Sequence, residues 1–475
     1  MPPEHEHFDL IVIGSGPAGE KGAAQAAYFG KKVALIEKEP VLGGAAANTG
    51  TLPSKTLRET ALYLSGFRNR DLYGLDVRLR TKATVRDLLA REHLIKETER
   101  SRIQQNLKRH HIALFAGEAS FVDPHTIAVK PARCPELLIE GDYILLATGS
   151  YPFRPALFPF HDPRVYDSDT ILDLHEIPPS MLVVGGGVIG CEYACMFAVM
   201  GVQVTVVEKH DRLIGSLDAE LSESLRARME AIGIRNLLGD VVDHVTEGDP
   251  IEVVMKSGTV VKVATILVSS GRCGNTEALA LDRVGIVAND RGQIKVNASF
   301  QTNLPHVYAA GDVIGNPALA STSMDQARIA MVHAFDLKYR SGLAQILPYG
   351  IYTIPECSMA GETEESLTKK QIPYVVGRAS YADNARGRII GDTGGFLKLL
   401  FHEESLKLLG VHMIGEQATE VIHVGLTALL MEADGDLFIQ TCYNYPTLTE
   451  LYKYATYDAM GQRARRRAEA AQTDA

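Results

Sequence analysis

Gly14, Gly16 and Gly19 form a Gly-x-Gly-x-x-Gly turn after the apolar run Ile11-Val12-Ile13, and Glu37 closes the next apolar run, Val33 to Ile36. The same landmarks return at a constant offset of 171 residues: Gly185, Gly187 and Gly190 after Leu182-Val183-Val184, then Glu208 after Val204 to Val207. Glycines at this spacing let a backbone turn sharply and approach a pyrophosphate seated on a helix N-terminus. The carboxylate at the end of the second strand can accept hydrogen bonds from a ribose. One such turn is weak evidence. Two, with every landmark in register, predict a chain that holds two dinucleotides and passes electrons between them. The blander reading, one decayed copy, is opposed by both copies keeping all three glycines and the acid.

Each turn needs a strand before it and a helix after it. The first unit spans about Phe8 to Pro40; the second opens at Met181 and its domain runs to about Arg272. A Gly43-Gly44 link leads to Pro53-Ser54-Lys55 and an amphipathic helix near 56–66, and a charged helix is predicted over 84–110. The segment from Thr302 to Gly311 reads as a strand stopping on Asp312, followed by a helix near 321–339. Ligands of parallel sheets lie beyond the carboxyl ends of strands, so Asp312 is placed to face a cofactor. From Ile351 onward, alternating strands and then helices suggest an α+β unit. The expected fold class is α/β: two Rossmann-like dinucleotide-binding domains plus a C-terminal α+β domain. The expected bounds are 1–150 and 276–345 for the first domain in two parts, 151–275 for the second and 346–475 for the third. A chain of 475 residues is too long for one core.

Bulk composition narrows the partners. The chain is 46% hydrophobic and 22% charged, as in ordinary globular proteins, with a formal net charge of −10. That charge argues against nucleic acid and anionic membrane as partners. The basic cluster Arg463 to Arg467 reads as a solvated helix end. The N-terminus lacks a signal segment, and no apolar run approaches the ~20 residues of a membrane span. Six cysteines without a CxxC pair suit reduced thiols and a cytoplasmic location. Cys191 and Cys195, one helical turn apart, read as small core residues, and no metal site is expected.

Together, the first dinucleotide unit, Gly43-Gly44 through Pro53-Ser54-Lys55, Ala147-Thr148-Gly149, the second unit and Ala310-Gly311-Asp312 resemble the pyridine nucleotide–disulfide oxidoreductases. The resemblance covers essentially the whole chain, in the family's order. It implies FAD on the first unit, held by Gly14, Gly16, Pro17, Ala18, Gly19, Glu37, Lys38, Gly43, Gly44, Thr148, Gly149, Gly311 and Asp312. It implies a nicotinamide nucleotide held by Gly185, Gly187, Val188, Ile189, Gly190 and Glu208, with Gly271 and Arg272 also among the cofactor-binding residues. Lys55 and Glu192 match the family's pair beside the flavin. The resemblance also implies a homodimer or higher homo-oligomer whose third domain completes the partner's site.

Two departures follow. Family members usually carry two redox cysteines, separated by four residues, before the Pro-Ser-Lys; here those positions hold Ala46 and Thr51. Where the family has a catalytic His-Pro-Thr, this chain has Tyr445-Pro446-Thr447, with Glu450 at the place of the orienting acid. Dithiol and base are absent together, as expected if electrons never leave through sulfur. Asn444-Tyr445-Pro446-Thr447, Gly50 to Lys55, Gly271 to Thr276 and Thr353-Ile354-Pro355-Glu356 are similar to one branch, the soluble pyridine nucleotide transhydrogenases. That branch implies hydride exchange between NADPH and NAD through FAD. Glu208 favours NAD(H) over NADP(H), since a carboxylate repels a 2′-phosphate. Lys209, His210 and Arg212 follow it and can offset that repulsion. Thr51 either donates to a bound ring or fills space, and Tyr445 either bonds near the flavin with Glu450 or packs beside its proline. The alternatives in function are an NADH-dependent quinone or dye reductase and a non-catalytic redox sensor.

Overall fold

The computed structural model describes residues 6–67, 83–339 and 342–473. The first apolar runs form β1 (Glu6–Ile13) and β2 (Val33–Glu37), joined by α1 (Pro17–Tyr28) and paired in parallel, Ile13 opposite Ile36. β2 is buried along its whole length, which is why its sequence is continuously apolar. There follow α2 (Gly44–Asn48), α3 (Thr51–Leu64) and α4 (Val85–Arg109). Thr84 and Asp87 start α4 with reciprocal side-chain caps. β3 (Ala113–Ala116), β4 (Glu118–Phe121), β5 (Thr126–Lys130) and β6 (Leu137–Leu146) give the order β3-β2-β1-β6-β5-β4.

The chain leaves this sheet through β7 (Ser150–Pro152). It then lays down β8 (Val165–Asp167), β9 (Ser180–Val184), α5 (Val188–Val199), β10 (Gln203–Glu208), α6 (Ala219–Ala231) and β11 (Arg235–Leu238). An antiparallel layer of β12 (Val242–Thr246), β13 (Ile251–Met255) and β14 (Val260–Val263) precedes β15 (Thr265–Val268). The second parallel sheet has the order β11-β10-β9-β15-β8. The return strand β16 (Arg272–Gly274) runs antiparallel to β7. β17 (Val307–Ala309) then joins the first sheet, in parallel with the carboxyl end of β6, and α7 (Ala320–Ala334) packs on α1.

The last part is an antiparallel sheet flanked by helices. Its elements are β18 (Tyr349–Ile351), β19 (Cys357–Gly361), α8 (Glu364–Lys369), β20 (Tyr374–Ser380), α9 (Ala385–Ile390), β21 (Phe396–His402) and β22 (Leu408–Ile414). Helices α10 (Ala418–Leu430), α11 (Gly435–Gln440) and α12 (Leu451–Thr473) follow, and the strand order is β18-β19-β22-β21-β20. The Arg465 to Arg467 side chains stand exposed on α12. The α/β class expected from the sequence is the one observed. The helix expected at 56–66 begins earlier, at Thr51, because Pro53 sits in its first turn, where a missing N–H costs nothing.

A buried cation bolts the last sheet to the second. Lys398 on β21 is 1% exposed and bonds Asp218 at 2.8 Å, Glu220 at 2.9 Å and Glu364 at 2.5 Å. Asp218 also caps α6, and Arg378 forks onto Glu220 with two 2.8 Å bonds. The three carboxylates converge closely enough to suggest a metal, but their centre is taken by the Lys398 ammonium.

Candidate active site where three sheets meet

The two glycine turns are built alike. Gly14 and Gly185 adopt φ of +101° and +106°, and each N–H bonds the neighbouring strand, to Ile36 and Val207, at 2.8 Å. A Cβ on Gly19 or Gly190 would stand 1.8 or 1.9 Å from the carbonyl oxygen of Gly14 or Gly185. These glycines are required by the fold itself. Gly16 and Gly187 are different. Their φ values of −64° and −75° suit any residue, and a Cβ would meet only Gly44 Cα at 3.9 Å, or nothing within 4 Å. Glycine here keeps open the space before the N-termini of α1 and α5, whose first turns have no side-chain cap. Free N–H groups at an open helix end fit a pyrophosphate in both turns. Pro17 and Ala18 begin α1; Val188 and Ile189 begin α5.

The acids at the strand ends are fixed by the turns they serve. Glu37 accepts from Ser15 N–H at 2.9 Å, Ser15 Oγ at 2.6 Å and Glu39 N–H at 2.9 Å. Glu208 accepts from Gly186 N–H at 2.6 Å and His210 N–H at 2.9 Å. Each carboxylate keeps lone pairs for ribose hydroxyls. Gly43 N–H donates to Ser15 Oγ at 2.9 Å, and Gly44 lies so near Gly16 that a Cβ would come within 2.9 Å of its Cα. Lys38 is exposed beside Glu37. Of the bases after Glu208, Arg212 is occupied by Glu365 at 2.8 Å and by the Gly215 carbonyl at 3.0 Å, while Lys209 is exposed.

Asp312 follows β17, as the strand-end argument expects. Its Oδ2 accepts from Ser150 Oγ at 2.9 Å, and Gly311 N–H donates to the buried Gln326 side chain at 2.8 Å. Arg272 turns toward the β7–β16 crossing, donating to Ser150 Oγ and Ser150 O at 2.8 Å each, with Gly271 at φ +115° just before it. Asn275 bonds the Thr148 carbonyl at 3.0 Å and its N–H bonds the Gly149 carbonyl at 3.0 Å. Arg272 also donates to Ser168 Oγ at 3.2 Å and Asp169 at 3.1 Å, and so ties the β7–β16 crossing to the residues after β8.

Lys55 on α3 bonds Glu192 on α5 at 2.6 Å, joining elements of the first two units. The second Glu192 oxygen accepts from the Tyr352 N–H at 2.9 Å, and the Lys55 ammonium stands 4.9 Å from the centre of the Tyr352 ring. Tyr352 follows β18, so the cluster is drawn from α3, α5 and the loop after β18. Burial pushes the Tyr352 phenol up. Arg58, 2% exposed, ties α3 to the same loop through the Thr353 carbonyl at 3.0 Å and Glu356 at 3.3 Å. Ala46 lies in α2, and Thr51 is exposed at the start of α3.

All six cysteines are free. Burial pushes Cys195 and Cys357 up to about 12 and raises Cys191, so these are neutral core thiols. Tyr445 is 74% exposed, and among the described residues of one chain neither it nor Glu450 meets the Lys55 cluster. The sequence reading missed Ser15, Ser150, Gln326 and Tyr352. Ser15 alone had a local signal, inside the glycine turn; the others act across large sequence separations.

The chain matches the pyridine nucleotide-disulphide oxidoreductase family over residues 8–327 and that family's dimerisation domain over residues 347–456. The chain belongs to this family. A soluble pyridine nucleotide transhydrogenase of Mycobacterium bovis (strain BCG / Pasteur 1173P2) is 46% identical over 457 residues, covering 96% of this chain and 97% of the relative. One from Yersinia enterocolitica is 40% identical, covering 97% and 99%. Among solved structures, the HOCl-induced flavoprotein disulfide reductase RclA of Escherichia coli matches with a TM-score of 0.86 at 25% identity, covering 95% of this chain and 99% of its own. LpdA of Mycobacterium tuberculosis matches with a TM-score of 0.86 at 26% identity, with the same coverage. As a family member the protein is an FAD-containing oxidoreductase of nicotinamide nucleotides and a homo-oligomer. Among the described residues no helix is long and apolar enough to cross a membrane.

Proposed function

We propose that the protein transfers hydride between nicotinamide nucleotides in two steps, one nucleotide leaving before the next binds. The observation that carries this reading is two intact, open dinucleotide cradles in a chain with Ala46 and Thr51 where the family places its dithiol. Gly14 to Gly19, Glu37, Lys38, Gly43, Gly44, Thr148, Gly149, Gly311 and Asp312 are assigned to FAD. Gly185 to Gly190 and Glu208 are assigned to the nicotinamide nucleotide. FAD, when bound, supplies a ring able to take a hydride from a reduced nicotinamide and return it to an oxidised one. The chain's own part is to hold both nucleotides, to fix the Lys55 charge beside Glu192, and to keep reactive sulfur away. Positioning contributes most of the rate, since ring-to-ring hydride transfer needs no acid or base at its centre. In this reading residues 1–150 and 276–345 serve FAD, 151–275 serve the nicotinamide nucleotide and 346–475 form the interface. Tyr445 and Glu450 then serve the site of the partner subunit, and free thiols suit a cytoplasmic setting.

The test is anaerobic. NADPH or NADH is added to the yellow holoenzyme, followed by an oxidised nucleotide analogue. Bleaching by either and catalytic recovery with the analogue supports transhydrogenation. Bleaching by NADH with no transfer to a second nucleotide removes it. A second reading, an NADH-dependent quinone or dye reductase, is favoured by Glu208, whose carboxylate is fixed, and by the capture of Arg212 by Glu365. Quinone turnover far exceeding nucleotide exchange would establish that second reading.

A further inference from the structure

We infer that Tyr352 is a positioning residue for Lys55, holding the ammonium at the redox site through the face of its ring. The inference rests on the assignment of Lys55 to the flavin side of that site, part of the reading above. The geometry supplies the argument. Glu192 has a side chain only 5% exposed, and both its oxygens are occupied, one by Lys55 and one by the Tyr352 backbone. The carboxylate therefore holds the ammonium through a single oxygen, and the Ser54 hydroxyl adds only a long contact of 3.4 Å. Lys55 remains 28% exposed, on a flexible four-carbon stem that could swing toward water. The Tyr352 ring, 4.9 Å away, closes a second side. A cation over an aromatic face is attracted by the ring quadrupole, more strongly as water is excluded.

The backbone of residue 352 fixes the carboxylate and its side chain steadies the ammonium, so one residue after β18 sets the geometry of a pair drawn from α3 and α5. Phenylalanine, leucine and methionine all keep the backbone N–H that bonds Glu192, which isolates the ring as the tested element. Phenylalanine keeps the face and loses only the hydroxyl. Leucine removes the face and keeps apolar bulk. A cation held near a flavin favours its reduced, more negative form, so a loosened Lys55 lowers the midpoint potential.

The experiment compares Tyr352→Phe, Tyr352→Leu, Lys55→Met and the double variant Lys55→Met/Tyr352→Leu as FAD-loaded proteins. Readouts are the flavin midpoint potential and the single-turnover rate of flavin reduction by NADH. Neither requires a second nucleotide, so failure of transhydrogenation and failure of this inference are separate results. Tyr352→Phe is expected within twofold of the parent. Tyr352→Leu is expected to reduce about tenfold more slowly, with a potential lowered by up to about 30 mV, the equivalent of tenfold for a two-electron couple. In the Lys55→Met background the leucine change is expected to add nothing. Parent-like behaviour of Tyr352→Leu overturns the inference, as does equal impairment of the Phe and Leu variants, or an undiminished effect without Lys55. If Tyr352→Leu does not retain FAD, Tyr352→Met, which also lacks a π face, replaces it under the same criteria.

Discussion

Glu208 shows how one side chain can be both structural and selective. Its carboxylate caps Gly186 N–H and His210 N–H, so it cannot swing away from an incoming 2′-phosphate. Glu208→Asn is expected to move the ratio of kcat/KM for NADPH over NADH at least tenfold upward, measured by steady-state reduction of a common acceptor; about 1.4 kcal/mol suffices. Lys55→Met is expected to slow flavin reduction by roughly 10- to 100-fold, read by stopped-flow absorbance, the range expected when a positioning contact is lost. Glu37 and Glu208 were legible in the sequence because each ends a strand begun within sight of its own glycine turn. Asp312 was legible by the same strand-end logic. Tyr352 and Ser150 were not, because their partners lie 160 and 162 residues away and no local period encodes such a contact. Tyr445 and Glu450 stand apart from the cluster within one chain, so the role proposed for them above requires the partner subunit.

At the level of the element, the two glycine turns separate demands of folding from demands of ligand. Gly187→Val is expected to fold and retain FAD while NADH binding weakens at least tenfold, measured by titration of the purified protein, because the new side chain enters open space. Gly190→Ala is expected to destabilise the whole second sheet, since its Cβ would strike the Gly185 carbonyl. The Lys398 bolt makes a contrasting case. Asp218 and Glu220 feel burial, which alone would raise them, yet His412 and Lys398 for Asp218, and Arg378 and Lys398 for Glu220, hold both below the usual carboxylate range. Carboxylates held low contribute stability above their unfolded pKa and lose it as pH falls through the folded value. Lys398→Met is therefore expected to cost about 3–5 kcal/mol near neutral pH, the usual result of removing one partner from a buried pair. The difference from the parent in chemical denaturation is expected to shrink below about pH 4, where carboxylates protonate. The helix starting at Thr51 rather than Thr56 has a physical reason too: proline reads as a breaker, but in a first turn it is compatible with the helix.

Across the whole molecule, elements from the first, second and last parts of the chain meet at the Lys55 cluster, so bound FAD is expected to stabilise them together. Saturating FAD at about 100 times its Kd contributes about 2.7 kcal/mol, and FAD-stripped protein is expected to melt earlier by calorimetry and recover on readdition. The doubled α/β plan and the α+β end were readable because parallel strands announce themselves as apolar runs with glycine turns. The Lys398 cluster that joins the last sheet to α6 was not, since a lone lysine in a strand reads as a solvated residue.

The late arrival of β17 carries a consequence for biogenesis. The second sheet is drawn from an unbroken stretch, 165–268, whereas the first lacks its flank on β6 until residues 307–309 emerge. A nascent chain released at residue 275 is expected to present a protease-resistant inner module beside an unfinished N-terminal one. Maturation would then run from the middle outward, with the FAD pocket closing only after most of the polypeptide has left the ribosome.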